Sequence, residues 1–410
     1  MHVIDTGSHD GIRICVEGCG HGELDKIYAA VRELEVQGKR SIDLVICCGD
    51  FQSVRNMDDL ECMACPVKYR DLGSFHKYYS GEKVAPYPTL FIGGNHEAIN
   101  YLRELYYGGW VAPNIYFLGY SGVVQFGGIR IAGLSGIYKK KDYVTGHFEV
   151  PPYSEGALRS AYHVKSIEIN KLMGIHGHVD VFLSHDWPSG ITIYGDQGAL
   201  LKKKRFLARD IAQNSLGSPP CMSLLKKIQP TYWFSAHLHT KFEATVPHDS
   251  PGKFTQFLSL DKCLPGRKYV QTVDFPSAKG PKVFRYDEEW LAIIRQTHGS
   301  LPHSRILTIP PAPVSTPSEE DIKEVEAIFQ GNFEIPLNFT QSAKPHDGET
   351  KKGAMPTCLL ENTQTTAFLR KLKLDLAPPP TVITTENPES IDIEDSEDEN
   401  DPAIQVILRS

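Results

Sequence analysis

No run of about 18 apolar residues occurs in this sequence, so no membrane-spanning helix is expected. Residues 1–11 lack the apolar stretch of a secretory leader, so export is not expected either. Cysteine is sparse. Nine in 410 residues, an odd number, fit a reducing compartment better than a disulfide framework. Internal repeats are absent, which argues against solenoids and propellers. What is present is ordinary for a folded chain. Hydrophobic residues make up 41% and charged residues 23%, which excludes collagenous and wholly disordered proteins. The length allows one large core and a smaller module or tail.

The net charge of −7 is unevenly spread. Residues 301–410 carry 9 basic and 19 acidic side chains, and the rest of the chain carries 34 and 31. A mildly basic body with an acidic tail is compatible with a polyanionic partner without demonstrating one.

The first 240 residues alternate short apolar runs with helical patterns. Residues 12–16 form one run, followed by Glu17-Gly18-Cys19-Gly20-His21-Gly22. A helix pattern follows, with Leu24, Ile27, Tyr28, Val31 and Leu34 on one face. Residues 42–48 run into Gly49-Asp50, and 89–92 into Gly93-Gly94-Asn95-His96. Residues 179–183 run into Ser184-His185-Asp186, and 232–234 into Ser235-Ala236-His237-Leu238-His239. Runs that are apolar throughout are strands covered on both faces, which predicts layered α/β architecture. In such sheets, ligand sites form beyond the carboxyl ends of strands. The five polar clusters are therefore expected to converge. The pattern predicts strands at 254–260 and 282–286, a helix over 288–295, and an end to the folded body near residue 305. Proline clusters at 310–313 and 378–380 and an acidic run at 389–401 predict a mostly disordered acidic tail from 306, with an isolated helix at 321–329 at most.

Cys19, His21, Asp50, Asn95, His185, His237 and His239 are the candidate metal ligands. Imidazole, thiolate and carboxylate suit borderline divalent metals, and one carboxylate can bridge two of them. His237-x-His239 has the period-2 spacing that puts both rings on one face of an extended segment. Each piece alone is weak. A Gly-Asp after a strand is usually a turn, and a lone histidine at a strand end is usually structural. The ordered set is what carries weight.

That set resembles the calcineurin-like metallophosphoesterase superfamily, whose pattern runs Asp-x-His, Gly-Asp, Gly-Asn-His-Glu/Asp, His, Gly-His-x-His. Cys19 stands where the wider group has Asp, and Ala236 where it has Gly. Both departures resemble the lariat-debranching branch of the superfamily. So do Gly49-Asp50-Phe51-Gln52-Ser53-Val54-Arg55-Asn56, Gly93-Gly94-Asn95-His96-Glu97-Ala98, Ser184-His185-Asp186-Trp187-Pro188 and Leu258-Ser259-Leu260-Asp261-Lys262-Cys263-Leu264-Pro265. The resemblance covers about residues 12–300. It implies a sandwich of two mixed β-sheets flanked by helices. A catalytic domain would span 12–245, with an insertion at 51–83 and a lariat-recognition-like loop at 137–165. A small C-terminal domain would follow at 246–305, then the tail at 306–410. The resemblance further implies that Cys19, His21, Asp50 and His239 surround one divalent metal. Asp50 would bridge to a second, held by Asn95, His185 and His237, with His96 as general acid. The implied reaction is hydrolysis of the 2′,5′-phosphodiester at the branch of excised intron lariats. The implied partners are branched intron RNA and spliceosomal or intron-turnover proteins, in the nucleus and to some extent the cytoplasm.

Thiolate is softer than carboxylate, so Cys19 favours zinc or iron(II) over magnesium, with manganese also accepted. The two insertions mix cations with aromatic rings, a combination that neutralises phosphates and stacks unpaired bases. Arg55, Lys68 and Tyr69 in the first, and Tyr138, Lys139, Lys140, Tyr143 and His147 in the second, are the candidate substrate residues. Lys202-Lys203-Lys204-Arg205 is open to three readings: a phosphate contact, a nuclear signal or a solvated helix face. Cys62-x-x-Cys65 has no second pair nearby and is not expected to bind zinc. The rival functions are a metallophosphoesterase for another phosphodiester or for phosphoproteins, and an inactive scaffold. The basic-aromatic insertions argue against the former, and the filled ligand positions against the latter.

Overall fold

The computed structural model describes residues 11–305 and 314–376. The proline clusters at 310–313 and 378–380 and the acidic run lie outside the described residues. In chain order the strands are β1 (Ile12–Glu17), β2 (Leu44–Cys47), β3 (Thr89–Phe91), β4 (Gly109–Ala112), β5 (Ile115–Phe117), β6 (Ser121–Phe126) and β7 (Ile129–Leu134). They continue as β8 (Val181–Ser184), β9 (Tyr232–Ser235), β10 (Phe242–Pro247), β11 (Phe254–Ser259), β12 (Val270–Phe275) and β13 (Arg285–Tyr286). They form a six-stranded sheet ordered β12-β1-β2-β3-β5-β4 and a seven-stranded sheet ordered β10-β11-β9-β8-β7-β6-β13. Both sheets are mixed, with β1, β2, β3 and β5 parallel in one and β7, β8, β9 and β11 parallel in the other.

Alternation along the strands explains the layering. Ile14, Val16 and Ile46 of the first sheet share one apolar cluster with Ile131, Leu183 and Phe234 of the second. Their neighbours Cys15, Val45 and Phe91 point the other way, against Leu24, Ile27, Tyr28 and Val31 of the helix Leu24–Gly38. On the far side Ala132, Phe182 and Trp233 meet Ile169, Leu224 and Ile293 from three further helices. Both faces of each central strand are buried, which is why their sequences are apolar throughout.

The expected end of the folded body near residue 305 is corrected. Residues 314–376 fold onto it. The helix over 321–329 is not isolated. It spans Glu319–Phe329, starts in a Ser318–Asp321 capping box, buries Val325 and Phe329, and joins Arg295 to Glu324 at 2.9 Å. A second helix, Thr363–Lys371, buries Leu369. Its Gln364 grips the edge strand β4, accepting from Trp110 N–H at 2.8 Å and donating to Trp110 O at 2.8 Å. One carboxamide thus supplies the hydrogen bonds of a missing neighbour strand and blunts a sheet edge. The prolines and acids on either side made this stretch read as tail. Phe333, Ile335 and Leu372 within it are nevertheless almost fully buried.

The same segment straps the 51–83 insertion. Asn56 donates to Lys344 O at 2.7 Å, His346 N–H to Arg55 O at 3.0 Å, and Ala354 N–H to Asp58 Oδ1 at 2.8 Å. Beneath it Arg55, 1% exposed, forks between Asp59 (2.8 and 2.9 Å) and Glu104 (2.7 Å) and donates to Ser342 Oγ (2.9 Å). Its guanidinium lies 4.0 Å from the Tyr101 ring centroid. Arg55 is therefore corrected from a substrate residue to a buried tie, because four oxygens of three residues and an aromatic face have taken every direction RNA would need. Arg55→Ala leaves two carboxylates buried without their cation, and a loss of roughly 3–5 kcal/mol follows. Denaturant unfolding checks this, since a surface contact would leave stability unchanged.

Candidate metal centre

All five expected clusters meet at the carboxyl ends of β1, β2, β3, β8 and β9. Cys19 follows β1, is fully buried, and accepts a bond from His237 N–H to its Sγ at 3.2 Å. His21 N–H donates to Asp50 O at 2.6 Å, and its Nε2 stands 3.2 Å from His239 Nε2 and 3.8 Å from Asp50 Oδ2. One donor atom from each of Cys19, His21, Asp50 and His239 lies within 4.8 Å of the others. On the other side of the Asp50 carboxylate, His185 Nε2 is 3.3 Å from Asp50 Oδ1 and 3.2 Å from Asn95 Oδ1. The His237 ring sits 5.1 Å from that of His185. His96 N–H donates to Asp50 Oδ1 at 2.8 Å, and its ring lies 5.4 Å from His21. Asp50 is thus shared by two donor sets.

The backbone is bent to achieve this. His21, Asp50, Gln52, His237 and His239 all have φ between 44° and 61°, a left-handed conformation costly for residues with a Cβ. The expectation that His237 and His239 share one face of an extended segment is corrected accordingly. A tight turn brings them in instead, Leu238 N–H donating to Ala236 O at 2.7 Å. Two glycines are needed for space. A Cβ on Gly94 would come 2.2 Å from Asp50 Oδ1, and one on Gly49 would come 2.3 Å from His185 Nδ1.

Electrostatics follow from burial. Burial alone would push Asp50 up, but His185, then His96 and His21, hold it well below the ordinary carboxylate range. Burial lowers His185, yet Asp50 beside it leaves the ring net raised. Burial, then Asp50, drives the Cys19 thiol well up, so ligation by sulfur requires a cation that displaces its proton. His185 Nδ1 lies 2.7 Å from Cys48 O, which can only accept, so Nδ1 carries a proton toward it and Nε2 is aimed at Asp50 and Asn95.

Glu97, which closes the Gly-Asn-His-Glu motif, and Gln52 are not among the candidate site residues, yet both shape the centre. The Glu97 carboxylate accepts from Phe51 N–H (2.8 Å), Gln52 N–H (2.9 Å) and Gly94 N–H (2.9 Å), clamping the Asp50 loop to the Asn95 loop. Burial, then Asp50, push it up to about 7 despite those donors. Gln52 places its carboxamide 3.3 Å from His21 Nδ1, behind the ring. A cue to the clamp is that glycines lead both loops, Gly49 before Asp50 and Gly93-Gly94 before Asn95, which lets them approach closely.

The candidate substrate residues divide. Tyr138 N–H donates to Asp186 Oδ2 at 3.2 Å, which roots the 137–165 loop next to His185. Tyr138 and Tyr143 pack edge to face, Lys139 is half-exposed and Lys140 exposed. Lys68 is exposed, its ammonium 4.8 Å from the Tyr69 ring centroid. His147 is corrected: it is 2% exposed and lies 3.0 Å from Glu168 Oε1. Its polar ring completes a buried network that includes Glu168, Lys171 and Tyr106, so RNA cannot reach it. Cys62 and Cys65 are buried free thiols.

The chain matches the calcineurin-like phosphoesterase family over residues 12–241 and the family "Lariat debranching enzyme, C-terminal domain" over residues 252–377. It therefore belongs to the calcineurin-like metallophosphoesterases. Within them it is a member of the lariat debranching enzyme family. It is 54% identical to the lariat debranching enzyme of Arabidopsis thaliana over 297 residues, which cover 72% of this chain and 71% of that one. It is 49% identical to lariat debranching enzyme A of Xenopus laevis over 384 residues, covering 88% and 70%. The Homo sapiens lariat debranching enzyme is 47% identical over 376 residues, covering 88% and 69%.

The buried histidine gives a stability prediction. Burial lowers His147 to about 4, so in the fold it stays neutral where the unfolded chain, near 6.5, takes up a proton. Stability contributed by neutral His147 is present above about 6.5 and lost as pH falls toward about 4, at roughly 1.4 kcal/mol for each pH unit crossed. His147→Gln flattens the dependence of unfolding free energy on pH in that window, as read by chemical denaturation.

Proposed function

We propose that this chain hydrolyses the 2′,5′-phosphodiester at the branch point of excised intron lariats and releases linear RNA for turnover. The observation that carries the reading is the shared Asp50 carboxylate, set between Cys19, His21 and His239 on one side and His185 and Asn95 on the other. The donor set fits two divalent cations. Cys19, His21, Asp50 and His239 would hold one, and Asp50, Asn95, His185 and His237 the other. The thiolate favours zinc or iron(II), with manganese accepted. Bound there, such cations neutralise a phosphodiester anion and make water acidic enough to attack near neutral pH.

The rest falls to the chain itself. Asn95 and the backbone bond from His96 to Asp50 fix where the His96 ring stands, beside His21 at the rim of the centre. As water adds at phosphorus and the bond to the branch 2′-oxygen breaks, the His96 imidazole gives that oxygen its proton. A 2′-hydroxyl remains on the branch residue and a 5′-phosphate on the released end. An imidazole near pH 6.5 suits this transfer. The 137–165 loop, rooted at Asp186, offers Tyr138, Tyr143, Lys139 and Lys140 to the unpaired RNA around the branch. This reading puts the protein with the intron-turnover machinery, in the nucleus.

Cleavage of a synthetic 2′,5′-branched RNA, with a linear 3′,5′ RNA left intact, is the expected result. Equal cleavage of both would overturn it. His96→Ala is expected to slow debranching by roughly 10²–10⁴ with metal content retained. Cys19→Ser is expected to lose one cation and keep the other by elemental analysis, and equal loss of both counts against this division of the ligands.

A further inference from the structure

The tetrabasic stretch 202–205 takes no part in the catalysis at the metal centre. It ends the helix Gln197–Lys203 and enters the turn Arg205–Leu207, with Lys202, Lys203 and Arg205 exposed and Lys204 half-buried. Its charge reaches the loop that follows β11. There Arg267 Nη1 stands 3.3 Å from Asp261 Oδ1, and Lys204 adds its field to the same carboxylate. This loop is fastened to the metal centre. Cys19 N–H donates to Asp261 O at 3.3 Å, Cys263 N–H donates to Cys19 O at 3.1 Å, and Lys262 pairs with Cys19 in a parallel bridge. Lys262 is therefore one backbone rung from a candidate ligand, and Arg267 pairs with Asp261, the residue before it, within the field of Lys204. Asp261 offsets one of the three cations and leaves the rim net positive. It is 8% exposed, accepts from Lys262 N–H (2.8 Å) and holds the Arg267 guanidinium in place (3.3 Å).

A branch nucleotide sends out three strands, each with one negative charge per nucleotide. The aromatic-basic loop at 137–165 approaches through Asp186 beside His185, at the end of β8 in the seven-stranded sheet. Cys19 lies past the end of β1 in the other sheet. Charge at Lys204, Lys262 and Arg267 therefore borders the centre from a different strand end, with no aromatic ring required to follow a phosphate backbone.

We propose that Lys204, Lys262 and Arg267 form a cationic rim on the Cys19 side of the centre that takes the phosphates of a second RNA strand leaving the branch. This rests on the debranching function. The test is fluorescence anisotropy of a 2′,5′-branched RNA with arms of about 8 nucleotides. The protein is the metal-loaded full chain carrying His96→Ala, titrated between about 50 and 200 mM salt. Adding Lys204→Gln and Arg267→Gln is expected to weaken binding roughly tenfold, by the same factor whatever the arm sequence. The slope of log affinity against log salt is expected to fall by about 0.7 for each charge removed. Metal content by elemental analysis stays that of the parent, which a merely structural loss at Cys19 would not allow. Should Arg267→Gln lower the melting temperature or the metal content, Lys204→Gln alone carries the test. Unchanged affinity and salt slope in Lys204→Gln would overturn the rim. If the rim variants lose RNA while the wild-type chain leaves the 2′,5′ bond intact, the debranching reading falls and the rim stands.

Discussion

Asp50 is 1% exposed, sits at φ 48°, and lies in the field of three imidazoles, with His185 at 3.3 Å and His21 at 3.8 Å. A lone carboxylate in that position would be expelled or neutralised, since burying an unpaired charge costs several kcal/mol. It stays ionised because His185, His96 and His21 surround it, and they are brought there by separate strand ends. The dependence also runs the other way. Without the negative charge, the raised His185 would revert to the neutral ring its burial favours. The two donor sets are thus coupled through one residue of the chain itself, and the rest of the fold serves to keep that coupling in register.

Strain is the means by which register is kept. Five non-glycine residues around the centre occupy the left-handed region, at a cost on the order of 1 kcal/mol or more each. Such a backbone persists only if other bonds over-determine it. Glu97 provides three of them, from Phe51, Gln52 and Gly94, and so fixes the Asp50 loop against the Asn95 loop. Cys48 O holds His185 from below, and Gln52 stands behind His21. The side chains that meet the substrate are therefore few, and those that position them are nearly as many.

Much of this was legible in the chain. Runs such as 42–48 and 179–183 are apolar at every position because both faces are buried, and each ends in the polar cluster that a parallel strand presents at its carboxyl end. Cys19, Asp50, His185 and His239 could be found that way. Arg55 and His147 could not, because a cation or imidazole in a loop rich in tyrosine looks the same whether it faces RNA or a buried carboxylate. Only the partners distinguish them, and Glu104 and Glu168 are 49 and 21 residues distant. The His237-x-His239 spacing was right about proximity and wrong about conformation, since a turn at positive φ can aim two rings inward as an extended strand does. The segment at 314–376 was hidden by averaging: its apolar residues are scattered among prolines and acids, and Val325, Phe329, Phe333, Ile335 and Leu372 land on surfaces supplied by distant sequence.

That hidden segment bears on function through the insertion it straps. Residues 51–83 carry the exposed Lys68, yet the insertion rests on Arg55, Asp59 and Glu104, and Ser342 and Asn362 from the C-terminal segment complete the same polar cluster. The strap therefore lies where it can stiffen a surface bordering the centre without reaching the metal ligands. The cost of leaving those carboxylates unpaired far exceeds the worth of a surface salt bridge. Rigidity at the insertion and strain at the centre are thus sustained by different parts of the chain: the first by a late segment wrapped over an early one, the second by hydrogen bonds between adjacent strand ends.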